Sequence, residues 1–213
     1  MYYTFIGLIV LAYLIGSIPT SVIIGKYFYD IDVRDYGSGN SGATNTFRIL
    51  GWKAGLPVLI FDIFKGFLAV FVVDLFDNVY VLSLYQTNGA KLLLGCAVLL
   101  GHIFPVYVGF KGGKGIATLL GIMFAILPDP ALAATIVFIL IFLATKYVSL
   151  SSIVAAISFP FIVIFIYKVN MQSLIQFSFV ISILVILTHQ KNIQRLVNKE
   201  ESKLRFRKKN QQL

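Results

Sequence analysis

Four stretches of the chain combine small polar residues, glycines and cations in patterns suited to holding an anion. The first, Tyr36–Arg48, reads YGSGNSGATNTFR, with three glycines, two serines, two asparagines and two threonines ahead of an arginine. Ser38, Asn40, Ser41, Thr44 and Asn45 offer hydroxyl and amide groups, and Arg48 can grip a phosphate or carboxylate with a two-pronged fork. A flexible loop before a capped helix is the plain alternative; the density of small polar groups favours a ligand cradle. The second stretch is GFKGGKG, Gly109–Gly115. Its consecutive glycines, Gly112 and Gly113, would let successive backbone N–H groups turn into one concavity. Gly115 opens an apolar segment whose helical positive end adds to the field, and Lys111 and Lys114 bring full charge. The spacing is not that of a Walker A loop, and alone the motif is equally a short positive turn. The third stretch, KYVSLSS, supplies Ser149 and Ser152. The fourth, HQKNIQRL, sets His189 and Asn192 three residues apart, on one face if the segment is helical. His189 there is also a plain helix C-terminal cation.

These clusters interrupt a chain built for lipid. Of its 213 residues 58% are hydrophobic and 13% charged, against about 25% charged in a soluble domain. The mean hydropathy is +0.88. The sequence therefore describes an all-α polytopic membrane protein. A helix needs roughly 20 apolar residues to cross the hydrocarbon core. Seven segments are candidates: Thr4–Ile24, Gly55–Val73, Lys91–Val108, Ile116–Leu127, Leu132–Ala144, Ile153–Tyr167 and Ser173–Thr188. Pro128 and Pro130 separate the fourth from the fifth, and both are short. The first segment lacks a basic flank and a small-residue cleavage site, so it reads as a retained span. Cys96 is the single cysteine, a small apolar filler that can form no intrachain disulfide. Asp62 and Lys65 lie on one face of the second segment. Charges inside a span are paired or functional, and here a structural ion pair is the first reading.

Seven spans place the termini on opposite sides. One set of connections holds four Lys or Arg in residues 26–53, two in 110–115, one in 145–152 and eight after Thr188. The other set holds only Lys91 and Lys168. The positive-inside rule then puts the N-terminus outside and the C-terminus in the cytoplasm. All four polar clusters fall on that cytoplasmic side, and the outer stretch DNVYVLSLYQTNG has nothing comparable. One membrane domain over residues 1–204 and a basic tail over 205–213 follow. The tail would rest on anionic headgroups, at about 1 kcal/mol per basic residue. No internal repeat is visible.

Taken together and in this order, the stretches resemble the bacterial acyl-phosphate:glycerol-3-phosphate acyltransferase family. GSIPTSVIIGK, DVRDYGSGNSGATNTFR, DIFKG, GHIFPVYVGFKGGKGIAT, KYVSLSS and HQKNIQRL carry the resemblance over nearly the whole chain. It implies a seven-span inner-membrane enzyme with a cytoplasmic active site. The reaction would move an acyl group from acyl phosphate to the 1-hydroxyl of sn-glycerol 3-phosphate, as the first acylation of phospholipid synthesis. By motif it implies Ser38, Lys114 and His189 as catalytic residues. Asn40, Arg48, Asn192, Ser149 and Ser152 would bind substrate, joined by Asn45, Gly112 and Gly113 from the reading of the loops. Two phosphate-bearing substrates need two anion sites, and an activated acyl donor needs no covalent enzyme intermediate. The proton acceptor is either neutral His189 or the donor phosphate. No cofactor, metal, nucleic acid or obligate protein partner is expected, and the few carboxylates are poorly placed to hold a metal. Two positions depart from the family pattern: Lys199, where glycine is common, and Ser41, where a small apolar residue is frequent. An H-x-x-x-x-D motif is absent, because the fifth residue after His102 is Tyr107 and after His189 is Gln194. The rival readings are an organic-phosphate transporter, whose site would lie nearer the bilayer midplane between inverted repeats, and a non-catalytic scaffold.

Overall fold

The structure is a computed structural model that describes residues 2–80 and 84–204. The described residues form ten α-helices: α1 (Tyr2–Gly16), α2 (Thr20–Tyr29), α3 (Ala43–Leu50), α4 (Trp52–Tyr80), α5 (Leu84–Ile103), α6 (Ile116–Ile126), α7 (Pro128–Thr145), α8 (Val148–Phe161), α9 (Gln172–Thr188) and α10 (Gln190–Val197). Residues 205–213, expected as a basic tail, lie outside the described residues. Four segments are long and apolar enough to cross a membrane: Trp52–Leu75, Gln86–Val108, Pro128–Thr145 and Val148–Ile166. The pairs α1–α2 and α9–α10, bent by 40° and 61°, raise the number to six if each is one broken span. α6 is apolar but only 11 residues long.

The departures from the expected spans have local causes. Thr4–Ile24 is not one helix. Pro19 cannot donate a helical hydrogen bond and steers Ile18 away from the helical region, so the chain breaks between Gly16 and Thr20. α4 runs past Val73 to Tyr80, so Asp74 is helical rather than part of an outer loop; Lys91 of α5 pairs with it at 2.6 Å. Pro128 begins α7, since proline fits a helix's first turn. α8 starts at Val148, not Ile153, which places Ser149 and Ser152 in its first turns. Pro160 interrupts α8 and a π-helical turn, Ile162–Ile166, follows. The Ala156 carbonyl that a residue 160 amide would have used accepts Ser182 Oγ from α9 instead.

Two helix pairs approach through reciprocal glycines. A methyl group on Gly66 of α4 would overlap the Thr118 carbonyl oxygen of α6, and one on Gly121 of α6 would overlap the Ile63 carbonyl of α4. The α1–α5 pair repeats the device, with Gly16 against the Val98 carbonyl and Gly101 against that of Tyr13. Water drives no association inside lipid, so close contact of this kind supplies the packing energy. Val70, Leu94, Val98 and Ile122 are fully buried where these helices meet. Gly121→Ala should therefore lower the melting temperature of the protein in detergent by an amount matching about 1–3 kcal/mol of overpacking. Gly7→Ala, on a face with open space around it, should leave the melting temperature unchanged or slightly raise it. Equal melting curves for the two variants would refute the backbone-contact account.

Candidate active site

A cavity of about 480 Å³ opens among the loop before α3, α3–α10 and the segment after α10. Ser38, Asn40, Arg48, Lys114, Ser149, His189, Asn192 and Glu201 line it at one end of these helices. From there the lining is mainly apolar, with Asp62, His102, Thr135 and Ser152 as its polar members. It follows α6 from Gly115 to Met123 and α8 from Val148 to Phe159, which at 1.5 Å per residue is about 12 and 16 Å of depth. Phe138 and Phe142 of α7 and Ile181 and Val185 of α9 complete this trough. One cavity thus joins a cationic, hydrogen-bonding head to an apolar trough.

The first loop is shaped by its own polar groups. Asn45 is 2% exposed and sits at the start of α3. Its Oδ1 accepts the Ser38 N–H at 2.9 Å, and its Nδ2 donates to Val33 O at 2.8 Å and Tyr36 O at 3.1 Å. Both its amide hydrogens are spent on the loop. Asn45 is therefore a loop organiser rather than the phosphate donor expected of it, although it borders the cavity. Asn40 Nδ2 donates to Ser38 Oγ at 3.4 Å. Arg34 fastens the loop from behind: it donates to both oxygens of Asp32 and, at 2.9 Å, to Val108 O beside the second loop. The Arg34 guanidinium holds the Asp32 carboxyl well below the usual range.

The second loop also corrects an expectation. The N–H groups of Gly112 and Gly113 do not face an anion. They donate at 3.2 Å to the carbonyls of Ile103 and His102, and neither glycine lines the cavity. Both are glycine for want of space: a methyl on Gly112 would overlap His102 O, and one on Gly113 would overlap His102 Nε2. What the loop does present is Gly115, with φ +79°, followed by the start of α6, which no side chain caps. The uncapped first turn and its dipole favour an anion at the cavity head.

Lys114 and Asn192 meet across 78 residues of sequence, the ammonium donating to Asn192 Oδ1. Asn192 Nδ2 donates at 2.8 Å to Glu201 Oε1, which also accepts Ser149 Oγ–H at 2.7 Å and lies 3.8 Å from Arg48 Nη2. Arg48 Nη2 donates to Ser202 O at 2.9 Å. Its Nε is buried with no partner among the described residues, a donor left for a ligand. His189, 2% exposed, ends α9 and lines the cavity. Its Nδ1 lies 2.8 Å from Val185 O. A carbonyl can only accept, so Nδ1 carries the hydrogen and Nε2 is left as an acceptor.

This geometry can be set beside known proteins. The family model described as glycerol-3-phosphate acyltransferase matches residues 6–199. A glycerol-3-phosphate acyltransferase of Fusobacterium nucleatum is 44% identical over 95% of this chain and 99% of its own length. One from Chlorobium phaeobacteroides is 40% identical over 96% of this chain and 98% of its own. The chain belongs to the glycerol-3-phosphate acyltransferase family. The crystal structure of PlsY (YgiH), described as an integral membrane glycerol 3-phosphate acyltransferase, matches this family member with a TM-score of 0.82 in its glycerol 3-phosphate form. That match is 38% identical and covers 94% of this chain and 95% of the PlsY chain. The lysophosphatidic acid form of PlsY matches with a TM-score of 0.80 at 37% identity.

In this acyltransferase family member, burial sets the charge states at the head. Burial pushes the Lys114 ammonium down to about 8, with Glu201 opposing and Arg48 and Arg195 assisting the fall. Burial, helped by the Lys114 charge, lowers His189 to about 4. At pH 7 Lys114 is thus charged and His189 neutral. Nine of the eleven residues singled out in the sequence line the cavity: Ser38, Asn40, Asn45, Arg48, Lys114, Ser149, Ser152, His189 and Asn192. The Ser152 hydroxyl is turned back to Val148 O. Glu201 is a cavity residue that sequence reasoning did not assign to the site. It is reached because Lys199 takes a left-handed turn, φ +60°, and Glu200 and Glu201 N–H both close on Arg195 O. A glycine at position 199 would have been the cue to that turn. The segment is then pinned by Leu204 N–H donating to Lys146 O at 2.9 Å. Glu201→Ala should destabilise the folded protein by roughly 2 kcal/mol or more, because two hydrogen bonds and a cation lose a buried carboxylate. The same change at exposed Glu200 should be silent. Thermal melts in detergent decide this, and equal effects at the two positions would exclude a structural role for Glu201.

Proposed function

We propose that the chain moves a fatty acyl group from an acyl phosphate to the 1-hydroxyl of sn-glycerol 3-phosphate, giving lysophosphatidic acid and inorganic phosphate. The observation that carries this reading is the continuity of the cavity: a cationic head holding Arg48 and Lys114 runs directly into an apolar trough. The trough takes the acyl chain and the head takes the phosphates. Arg48, through its unpartnered Nε, and Ser38 hold one phosphate. Lys114 and the first turn of α6 hold the other and offset charge that builds on the acyl carbonyl and the departing phosphate. The hydroxyl oxygen attacks the acyl carbon, a new ester bond forms, and the carbon–oxygen bond to phosphate breaks. His189 Nε2 accepts the hydroxyl hydrogen bond and orients the attack. The departing phosphate takes the hydroxyl proton as the carbon–oxygen bond breaks, so it leaves as hydrogen phosphate and His189 stays neutral.

The membrane arrangement proposed alongside this has seven spans. The bent pairs α1–α2 and α9–α10 each count as one, and α6 counts as a short seventh. The bias of Lys and Arg toward one set of connections supports a cytoplasmic head and an external N-terminus in a bacterial inner membrane. Cysteines introduced as Ser38→Cys and Lys114→Cys, with Cys96 replaced, should react with impermeant maleimide only in inside-out vesicles. Labelling from both sides would speak for a transport cycle instead.

The decisive assay supplies purified protein in lipid with glycerol 3-phosphate and palmitoyl phosphate, with palmitoyl-CoA as a parallel donor. Lysophosphatidic acid and phosphate should appear one to one from acyl phosphate alone. No product from either donor, in protein that binds glycerol 3-phosphate, would overturn the enzyme reading. Run across pH, kcat/KM should fall above about 8 as Lys114 loses its proton. That alkaline limb should vanish in Lys114→Arg, whose guanidinium keeps its charge whatever its lower rate.

A further inference from the structure

A polar cluster borders the same cavity, with Asp62 and His102 in its lining, and the mechanism above leaves it unused. Asp62, Lys65, His102 and Thr118 come from α4, α5 and α6 and are 1%, 6%, 6% and 0% exposed. Charges inside a span are costly and do not persist without a task. The cluster is closely bonded. Asp62 Oδ1 accepts Thr20 Oγ1–H at 2.6 Å and pairs with Lys65 Nζ at 2.8 Å. Lys65 also donates at 3.0 Å to Ile18 O, a carbonyl at the break before α2 that accepts the Thr20 N–H at 3.1 Å as well. His102 Nδ1 stands 3.7 Å from the same Asp62 oxygen and 3.0 Å from Thr118 Oγ1.

His102 connects this cluster to the loop that carries Lys114. Its carbonyl accepts the Gly113 N–H at 3.2 Å. Its Nε2 faces Gly113 so closely that a methyl group there would overlap it. On the far side of Lys114, Thr118 in the first turn of α6 holds Nδ1. His102 thus grips the chain just before and just after the lysine. We propose that His102 is a positioning residue for Lys114, anchored by the Asp62–Lys65 pair. A lysine side chain is a flexible four-carbon stem. Aiming its ammonium at one spot needs a fixed backbone beneath it, and a misplacement of about 1 Å can cost about 100-fold in rate. The Asp62–Lys65 pair explains itself on the same terms, as the fixed point against which the histidine ring is set.

The inference rests on the proposed role of Lys114, so its test reads both turnover and the reactivity of that lysine. The variants are His102→Ala, His102→Asn, Gly113→Ala and the double variant Gly113→Ala/His102→Ala, each in lipid nanodiscs. His102→Ala should lower kcat about 10- to 100-fold with the KM for glycerol 3-phosphate nearly unchanged, since placement matters most in the transition state. His102→Asn, whose amide can reach the Nδ1 position and keep the Thr118 bond, should recover most of that loss. Gly113→Ala should be impaired by its clash with the ring. The double variant should outperform Gly113→Ala alone, because the ring that obstructs the methyl is gone. Additive losses in the double variant, or an asparagine variant as poor as the alanine one, would overturn the proposal. If the wild-type protein makes no lysophosphatidic acid from acyl phosphate, the functional reading fails, and the same four variants are compared by the rate at which an amine-directed acylating reagent modifies Lys114. A change in that rate in His102→Ala that His102→Asn reverses upholds the His102–Lys114 link, and equal rates in all four variants remove it.

Discussion

Gly66 and Gly121 let the backbones of α4 and α6 touch, and the site hangs on that contact. α6 is the helix that Lys114 leads into, and its uncapped first turn opens on the cavity head. Moving α6 outward by the width of a side chain would carry the ammonium away from Asn192 and part Thr118 from His102. The α1–α5 contact, built the same way with Gly16 and Gly101, fixes the other partner, because His102 is the last residue but one of α5. Two pairs of missing side chains therefore set the distance between a lysine loop and the histidine that braces it.

Inside lipid, each interruption of a helix exposes polar backbone that needs a partner. The protein meets this need with side chains from neighbouring helices. The break at Ile18 is met by Lys65 and the one at Ala156 by Ser182. Both repairs lie close to functional parts: the first anchors the Asp62 cluster, and the second joins α8 to α9 along the apolar trough. Irregularity is thus placed where it ties elements together, and both irregularities begin at a proline.

Much of the site could be read from the sequence because its signals are local. Composition and apolar runs gave the helices, and the four polar clusters held Ser38, Arg48, Lys114, His189 and Asn192, all of which line one cavity. The misreadings came from groups whose partners are decided by the fold. Glycine pairs such as Gly112–Gly113 suit either an anion nest or a tight fit against a carbonyl, and only the position of α5 settles which. Asn45 resembles a ligand in a list of residue types, yet its amide is consumed by Val33 and Tyr36. Glu201 was not assigned to the site because the left-handed turn at Lys199 that delivers it, unlike one at glycine, leaves no mark in the sequence. The single-helix reading of Thr4–Ile24 gave hydropathy precedence over Pro19, and proline sterics won.

The shortness of α6 reaches beyond the protein. Eleven residues make a rod of about 16 Å, roughly half of the ~30 Å hydrocarbon layer. Its longer neighbours are matched to that layer and α6 is not. As the proposed seventh span, α6 would either set the cationic head below the level of the lipid headgroups or pinch the bilayer around it. Both responses to hydrophobic mismatch are cheap per ångström. In either case a water-soluble phosphate and a lipid-dissolved chain would meet at the same depth without either crossing the full layer. On that proposed arrangement the thickness of the surrounding membrane would become part of the catalyst, and lipid composition a variable that acts on it directly.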